Sequence, residues 1–369
     1  MLTADSSQLT ASIMNTNELD TPALLLDLDC MESNLKQMAG FLSHAPAKLR
    51  PHFKNHRILA LAQRQIEAGA IGMTCARLRQ AELLVDYGIK DILIANEIAG
   101  EAKIKQFVEL SRRADVIVAV DNEKVVADMA RVSRNHNTPV NVLVDIDVGL
   151  KRCGVATTEA ALRLAQIVME NGLKLRGIMG YEGHLQPIVP GAEKERTVRS
   201  SMQLLIDAKN RIESAGIRAP IASCGGTGTY SIMASFPGVT EIQAGSYLLM
   251  DAWYKAYAPE FKLALSLLVT VISKTPGERI IVDAGVKALS GERGMPLVKA
   301  IHGLRLKALH AEHGVVEIQD PSVSVEVGDK IELWVHYHDG TINLHRRAFG
   351  IRNGTVEEVF KIEADVRDS

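Results

Sequence analysis

From Thr21 onward the chain alternates between two hydrophobic periods. Ala23 to Leu28 is an apolar run broken only by Asp27, as in a buried strand. Asp29 to Leu42 follows with apolar residues at Met31, Leu35, Met38 and Leu42, the spacing of one helix face. The same unit recurs as 49–53 then 57–69, 71–75 then 78–87, 92–95 then 102–110, and 116–120 then 124–132. It continues as 140–146 then 159–168 and 175–181 then 193–215, with further strands expected at 221–223 and 240–244. Strand alternating with helix about eight times predicts an α/β fold with a parallel sheet. This number of repeats favours a closed (β/α)8 TIM-type barrel over an open doubly wound sheet. One strand is surplus, and the first is open to membership of another sheet.

After about Leu263 the helices stop. Runs at 264–272, 279–282, 315–318, 330–335 and 356–359 read as strands separated by Gly, Pro and Asp turns, among them Val327-Gly328-Asp329. The expectation is a barrel over 18–262 followed by a mostly antiparallel β domain over 263–369, with residues 1–17 flexible or packed on it.

Composition adds exclusions. A hydrophobic fraction of 47% and a charged fraction of 23% are those of an ordinary globular protein, and a net charge of −2 gives no reason to expect nucleic acid or an anionic membrane as partner. The N-terminus is polar, without the basic start and apolar core of a secretory signal, and no apolar run reaches spanning length. Cys30, Cys75, Cys153 and Cys224 are spread singly, with no C-x-x-C spacing. That pattern implies reduced thiols and a cytoplasmic setting rather than a disulfide framework or a structural zinc site.

Candidate chemistry centres on Arg50-Pro51-His52-Phe53-Lys54-Asn55-His56. Most lysines are solvated surface charges. Lys54, however, falls where a barrel strand should end, and barrels build their active sites at that end. Its neighbours His52, His56 and Arg50 are cations that would favour the neutral amine Schiff-base chemistry needs. Two Gly-rich turns, Ser223-Cys224-Gly225-Gly226-Thr227-Gly228-Thr229 and Gln243-Ala244-Gly245-Ser246-Tyr247, close the last two strands, where barrels commonly bind phosphate on exposed backbone N–H groups. An amine on one loop and a phosphate cup on others would together hold pyridoxal 5'-phosphate.

These motifs form an ordered set. R-P-H-x-K-x-H is followed by D-x-D-V-G-x-x-R-x-G-V (Asp145 to Val155), G-G-T-G (Gly225 to Gly228), Q-A-G-S-Y-x-x-M-D (Gln243 to Asp251), D-A-G-x-K (Asp283 to Lys287) and E-H-G (Glu312 to Gly314). From about Asp20 to Ile362 the chain resembles the D-threonine aldolase and D-serine dehydratase family of alanine-racemase-like, fold-type III pyridoxal phosphate enzymes. The resemblance implies that Lys54 bonds the cofactor and that Thr227, Gly245 and Ser246 bind its phosphate. It further implies that Arg152, Tyr181 and Tyr254 face the cofactor or its substituents. It also implies a divalent metal (Mg, Mn or Zn) beside the cofactor, held by a His and by a Cys or Asp two residues later. Aligned without gaps, the family histidine falls on Tyr337 and its partner on Asp339. A shift of one residue would use His336 and His338, which as i and i+2 on a strand would share one side.

The expected activity is retro-aldol cleavage of a D-β-hydroxy-α-amino acid, D-threonine-like or 3-hydroxy-D-aspartate-like, to glycine and an aldehyde. The alternatives on the same fold are a β-eliminating dehydratase and a metal-independent racemase. In this family the second domain of a partner subunit completes the barrel mouth, which implies a homodimer.

Overall fold

A computed structural model describes residues 14–364. The chain forms two compact units that interleave along the sequence. One comprises Leu35–Tyr247 and Ala256–Phe261, joined by residues 363 and 364; the other holds the described residues through Asn34, Leu248–Lys255 and Lys262–Ile362. The chain therefore crosses between units several times, rather than once at 262/263 as the hydrophobic pattern suggested.

The first unit is the barrel. Its eight strands, Lys48–Leu49, Met73–Cys75, Asp91–Glu97, Asp115–Val120, Asn141–Asp145, Lys174–Met179, Ile221–Cys224 and Glu241–Ile242, are hydrogen-bonded to one another in parallel. Parallel strands covered on both faces read as continuous apolar runs. Val116, Val118, Ala119 and Val120 all have no exposed surface. Closure comes at the shortest strand: Glu241 and Ile242 pair with Lys48 and Leu49 on one side, and a bridge from His52 to Thr74 completes the ring on the other. The first strand ends at Leu49, earlier than its apolar pattern suggests, and Phe53–Asn55 is a single 3-10 turn.

The surplus strand belongs to the second unit. Ala23–Asp27 lies antiparallel to Leu265–Thr275 and parallel to Arg347–Arg352, in a sheet whose other pairings are antiparallel. Four strands of this sheet, Met14–Asn15, Leu297–Val298, Leu304–Leu309 and Arg347–Arg352, are additional to Ala23–Asp27 and the five expected. Leu304 and Leu306 face inward and Arg305 and Lys307 outward, so the period-2 signal was present. The Val327-Gly328-Asp329 turn is observed, with Gly328 at φ +97°.

One buried cation spans the barrel seam. Arg50, 3% exposed, donates from Nε and Nη2 to the two carboxylate oxygens of Glu241 at 3.0 and 2.8 Å, and from Nη1 to Asp91 at 2.5 Å. Burial disfavours its charge, but these two carboxylates outweigh that and keep it firmly protonated. Removing one partner of a buried pair leaves the other uncompensated. Arg50→Met is therefore expected to cost about 3–5 kcal/mol, read as a lower urea midpoint. An unchanged midpoint would contradict this account of the seam.

Candidate active site

Lys54 sits on the turn Phe53–Asn55, just past the His52–Thr74 bridge, at the carboxyl end of its strand. The turn is anchored on both sides of the lysine: Phe53 and Asn55 are buried while Lys54 is exposed, and the Lys54 N–H donates to His52 Nδ1 at 3.4 Å. The cation cluster expected around Lys54 is not what forms. Arg50 is neutralised by Glu241 and Asp91, and His56 is buried with Nε2 3.2 Å from Gln65 Oε1 and Nδ1 accepting from the Ile58 N–H at 3.0 Å.

The lysine turn rests directly on the last Gly-rich loop. Asn55 Nδ2 donates to Ser246 Oγ at 3.3 Å. A Cβ on Gly245 would fall 2.7 Å from the His52 carbonyl oxygen and would clash with Asn55 Oδ1, so only glycine allows this approach. The amine of Lys54 and the two loops expected to hold phosphate are thereby parts of one packed unit.

Those loops hold fewer spare donors than their glycines suggest. The Gly225, Gly226 and Gly228 N–H groups are committed to Glu182, Thr229 and Gln186 at 3.2, 3.1 and 2.8 Å. Among the described residues no hydrogen-bond partner is found for the backbone N–H groups of Thr227, Gly245 and Ser246, all three in buried positions. Buried N–H groups are seldom left unpaired, so three neighbouring orphans are what a phosphate would satisfy. The Thr227 hydroxyl also accepts from the Tyr247 N–H at 3.0 Å, which ties the two loops together. The residues present fit pyridoxal phosphate at both its phosphate and its aldehyde ends.

Arg152 and Tyr181, from loops after neighbouring strands, meet with the guanidinium carbon 5.6 Å from the ring centre, a cation–π contact. Below Arg152 lies a group that the sequence reading missed. Ligand atoms of Glu97, Asp121 and Cys153 all come within 4.8 Å of one another. Asp145 is 6% exposed beside them, its carboxyl pushed up to about 8 by burial and by Glu97 and Asp121, against the pull of Arg152. Burial and Glu97 also push the Cys153 thiol up to about 11, so it is protonated at neutral pH. The available signal was topological: Glu97, Asp121 and Cys153 end or follow three consecutive strands.

In the second unit the shifted metal register does not form. The strand Lys330–Trp334 stops short of both histidines, and His338 begins a short helix, His338–Ile342. His338 therefore does not share a strand face with His336. Its N–H and Nδ1 lie 2.9 and 2.5 Å from Asp251 Oδ2, and its Nε2 lies 3.1 Å from Asp339. Burial alone would push this imidazole down; Asp251 and Asp339 outweigh it and hold it at about 10. His336, Nδ1 buried without a partner, belongs to a different environment, against Gly294. The His336/His338 strand pair that the shifted register requires is therefore not formed in this structure. Tyr254 joins this cluster, its N–H donating to Asp251 at 2.7 Å and its ring 6.3 Å from that of His338. Tyr337 instead packs on Trp253 and stacks under Arg293.

Two family models match the chain in succession. One described as the alanine racemase N-terminal domain matches residues 26–252, and one described as a serine dehydratase domain matches 264–351. A D-threonine aldolase of an Arthrobacter species is 34% identical, covering 94% of this chain and 93% of its own length. A 3-hydroxy-D-aspartate aldolase of Paracoccus denitrificans is 32% identical, covering 95% and 93%. The crystal structure of the D-threonine aldolase of Filomicrobium marinum superposes with a TM-score of 0.91 at 32% identity, covering 94% of this chain and 96% of its own. The barrel, its second β unit and aldolase relatives over nearly the whole chain define a fold-type III pyridoxal phosphate enzyme of lyase type. The chain belongs to the D-threonine aldolase and D-serine dehydratase family of the alanine-racemase-like fold. Among the described residues no helix is long and apolar enough to cross a membrane.

The buried His338 carries a pH signature. Its raised pKa contributes stability that is fully present below about 6.5, the ordinary value, and is lost as pH rises through about 10. Thermal melts are expected to drop across that window, and Asp251→Asn to flatten the drop. An equal pH dependence in both proteins would contradict the pairing.

Proposed function

We propose that this chain cleaves a D-configured β-hydroxy-α-amino acid, D-threonine-like or 3-hydroxy-D-aspartate-like, to glycine and an aldehyde. The observation that carries the reading is the Lys54 turn locked onto the Gly245–Ser246 loop by Asn55, which pairs an amine with unfilled phosphate donors. The aldolase activity of two relatives at 34% and 32% identity supports the choice of reaction. When bound, pyridoxal phosphate supplies an electron-withdrawing ring that takes up the electron pair released at Cα. Lys54 would hold the aldehyde carbon, and the N–H groups of Thr227, Gly245 and Ser246 would fix the phosphate. Arg152, held over Tyr181, would supply a cation to the bound cofactor. No step is routed through a metal at His336, His338 or Asp339, and chelation of the purified protein reads whether one takes part. The family resemblance carries a homodimer into this proposal, and light scattering of the purified protein reads it.

Lys54→Ala is expected to abolish both the visible absorbance of bound pyridoxal phosphate and turnover, by at least about a thousandfold for loss of a covalent catalytic group. Retained absorbance would overturn the assignment. Incubated with D-threonine and with 3-hydroxy-D-aspartate, the wild type should release glycine from at least one. Ammonia and a 2-oxo acid without glycine would instead indicate the dehydratase. Repeating the assay after chelation separates metal-assisted from metal-free removal of the β-hydroxyl proton.

A further inference from the structure

The loop after the strand Lys174–Met179 carries two side chains buried under the first Gly-rich turn. Glu182 is 0% exposed and Gln186 1%. Glu182 accepts from the Gly225 N–H at 3.2 Å and, through its other oxygen, from the Thr229 hydroxyl. Gln186 donates to Thr229 Oγ1 at 2.9 Å and to Glu182 at 3.3 Å, and accepts from the Gly228 N–H at 2.8 Å. The Thr229 hydroxyl oxygen takes the Gly226 N–H at 3.1 Å. Gln186 lies flat on the turn: a Cβ at Gly226 would meet its side-chain carbonyl at 2.6 Å, and one at Gly228 its backbone oxygen at 2.7 Å. Its own backbone is held by Lys194, 2% exposed, whose Nζ donates to the Gln186 and Ile188 carbonyls at 3.2 and 2.8 Å.

We infer that Glu182 and Gln186 are positioning residues for the cofactor's phosphate, a role that rests on reading this site as a pyridoxal phosphate site. Directly or through Thr229, they take up the N–H groups of all three glycines in the turn. The Thr227 N–H is left, with those of Gly245 and Ser246, to meet a phosphate. Glu182 is a carboxyl buried close to where a phosphate would bind, and burial pushes it up despite its hydrogen bonds from Thr229, Gly225 and Gln186. A clamp of this kind acts on the shape of the turn and not on the aldehyde end of the cofactor.

The test separates those two ends. The full-length protein, stripped of cofactor, is titrated by absorbance with pyridoxal phosphate and with pyridoxal, which lacks the phosphate. Glu182→Ala and Gln186→Ala are each expected to weaken pyridoxal phosphate binding about tenfold or more, the scale of losing one or two buried hydrogen bonds, and to leave pyridoxal binding unchanged. Glu182→Gln, which keeps the size and an acceptor, should restore most of the loss. Equal weakening of both ligands would show a structural effect and overturn the inference, as would unchanged pyridoxal phosphate affinity. Should Glu182→Ala lose its cooperative melt, Gln186→Ala carries the same comparison. A wild type that binds neither ligand overturns the cofactor reading, and the inference with it.

Discussion

Barrel closure is the constraint on which the site depends, and it falls to the weakest part of the sheet. The first and last strands are each two residues long, so their ladder supplies little. Arg50 compensates with a bidentate grip on Glu241, out of water, where such bonds are strong and costly to lose, and with a third bond to the half-exposed Asp91. Four residues after this guanidinium comes Lys54, and two residues after Glu241 begins the loop that carries Ser246. The cation that joins the strands thereby sets the register between amine and phosphate donors.

From that seam the site is built by committing polar groups rather than by exposing them. The Gly-rich turns have many N–H groups, and most are spent within the protein. Among the described residues the N–H groups of Thr227, Gly245 and Ser246 are found without a partner. A preformed cup of this kind binds without first reorganising its own hydrogen bonds, which is how a rigid barrel lends affinity to a small anion.

The barrel was legible because buried parallel strands are continuous apolar runs and their helices keep one apolar face; 116–120 and 141–145 needed no other information. What escaped depends on contacts distant in sequence. Arg50 read as one of several cations near Lys54, since its carboxylates lie 41 and 191 positions away. The histidines at 336 and 338 read as a strand pair because the feature that ends the strand is Asp251, 87 positions earlier, accepting the His338 N–H. Glycine-rich loops raised the expectation of a phosphate site, but which of their amides were available depended on Glu182 and Gln186, about 40 residues upstream. The Glu97, Asp121 and Cys153 group was invisible for the same reason, one residue coming from each of three strand ends.

The most direct test of the account is to trap the cofactor where it is bonded. Protein loaded with pyridoxal phosphate is reduced with borohydride and digested, and the peptides are mapped by mass spectrometry. A phosphopyridoxyl group on the peptide containing Lys54, and on no other lysine at comparable yield, is the predicted result. A label on a different lysine, or none, would contradict the site described here.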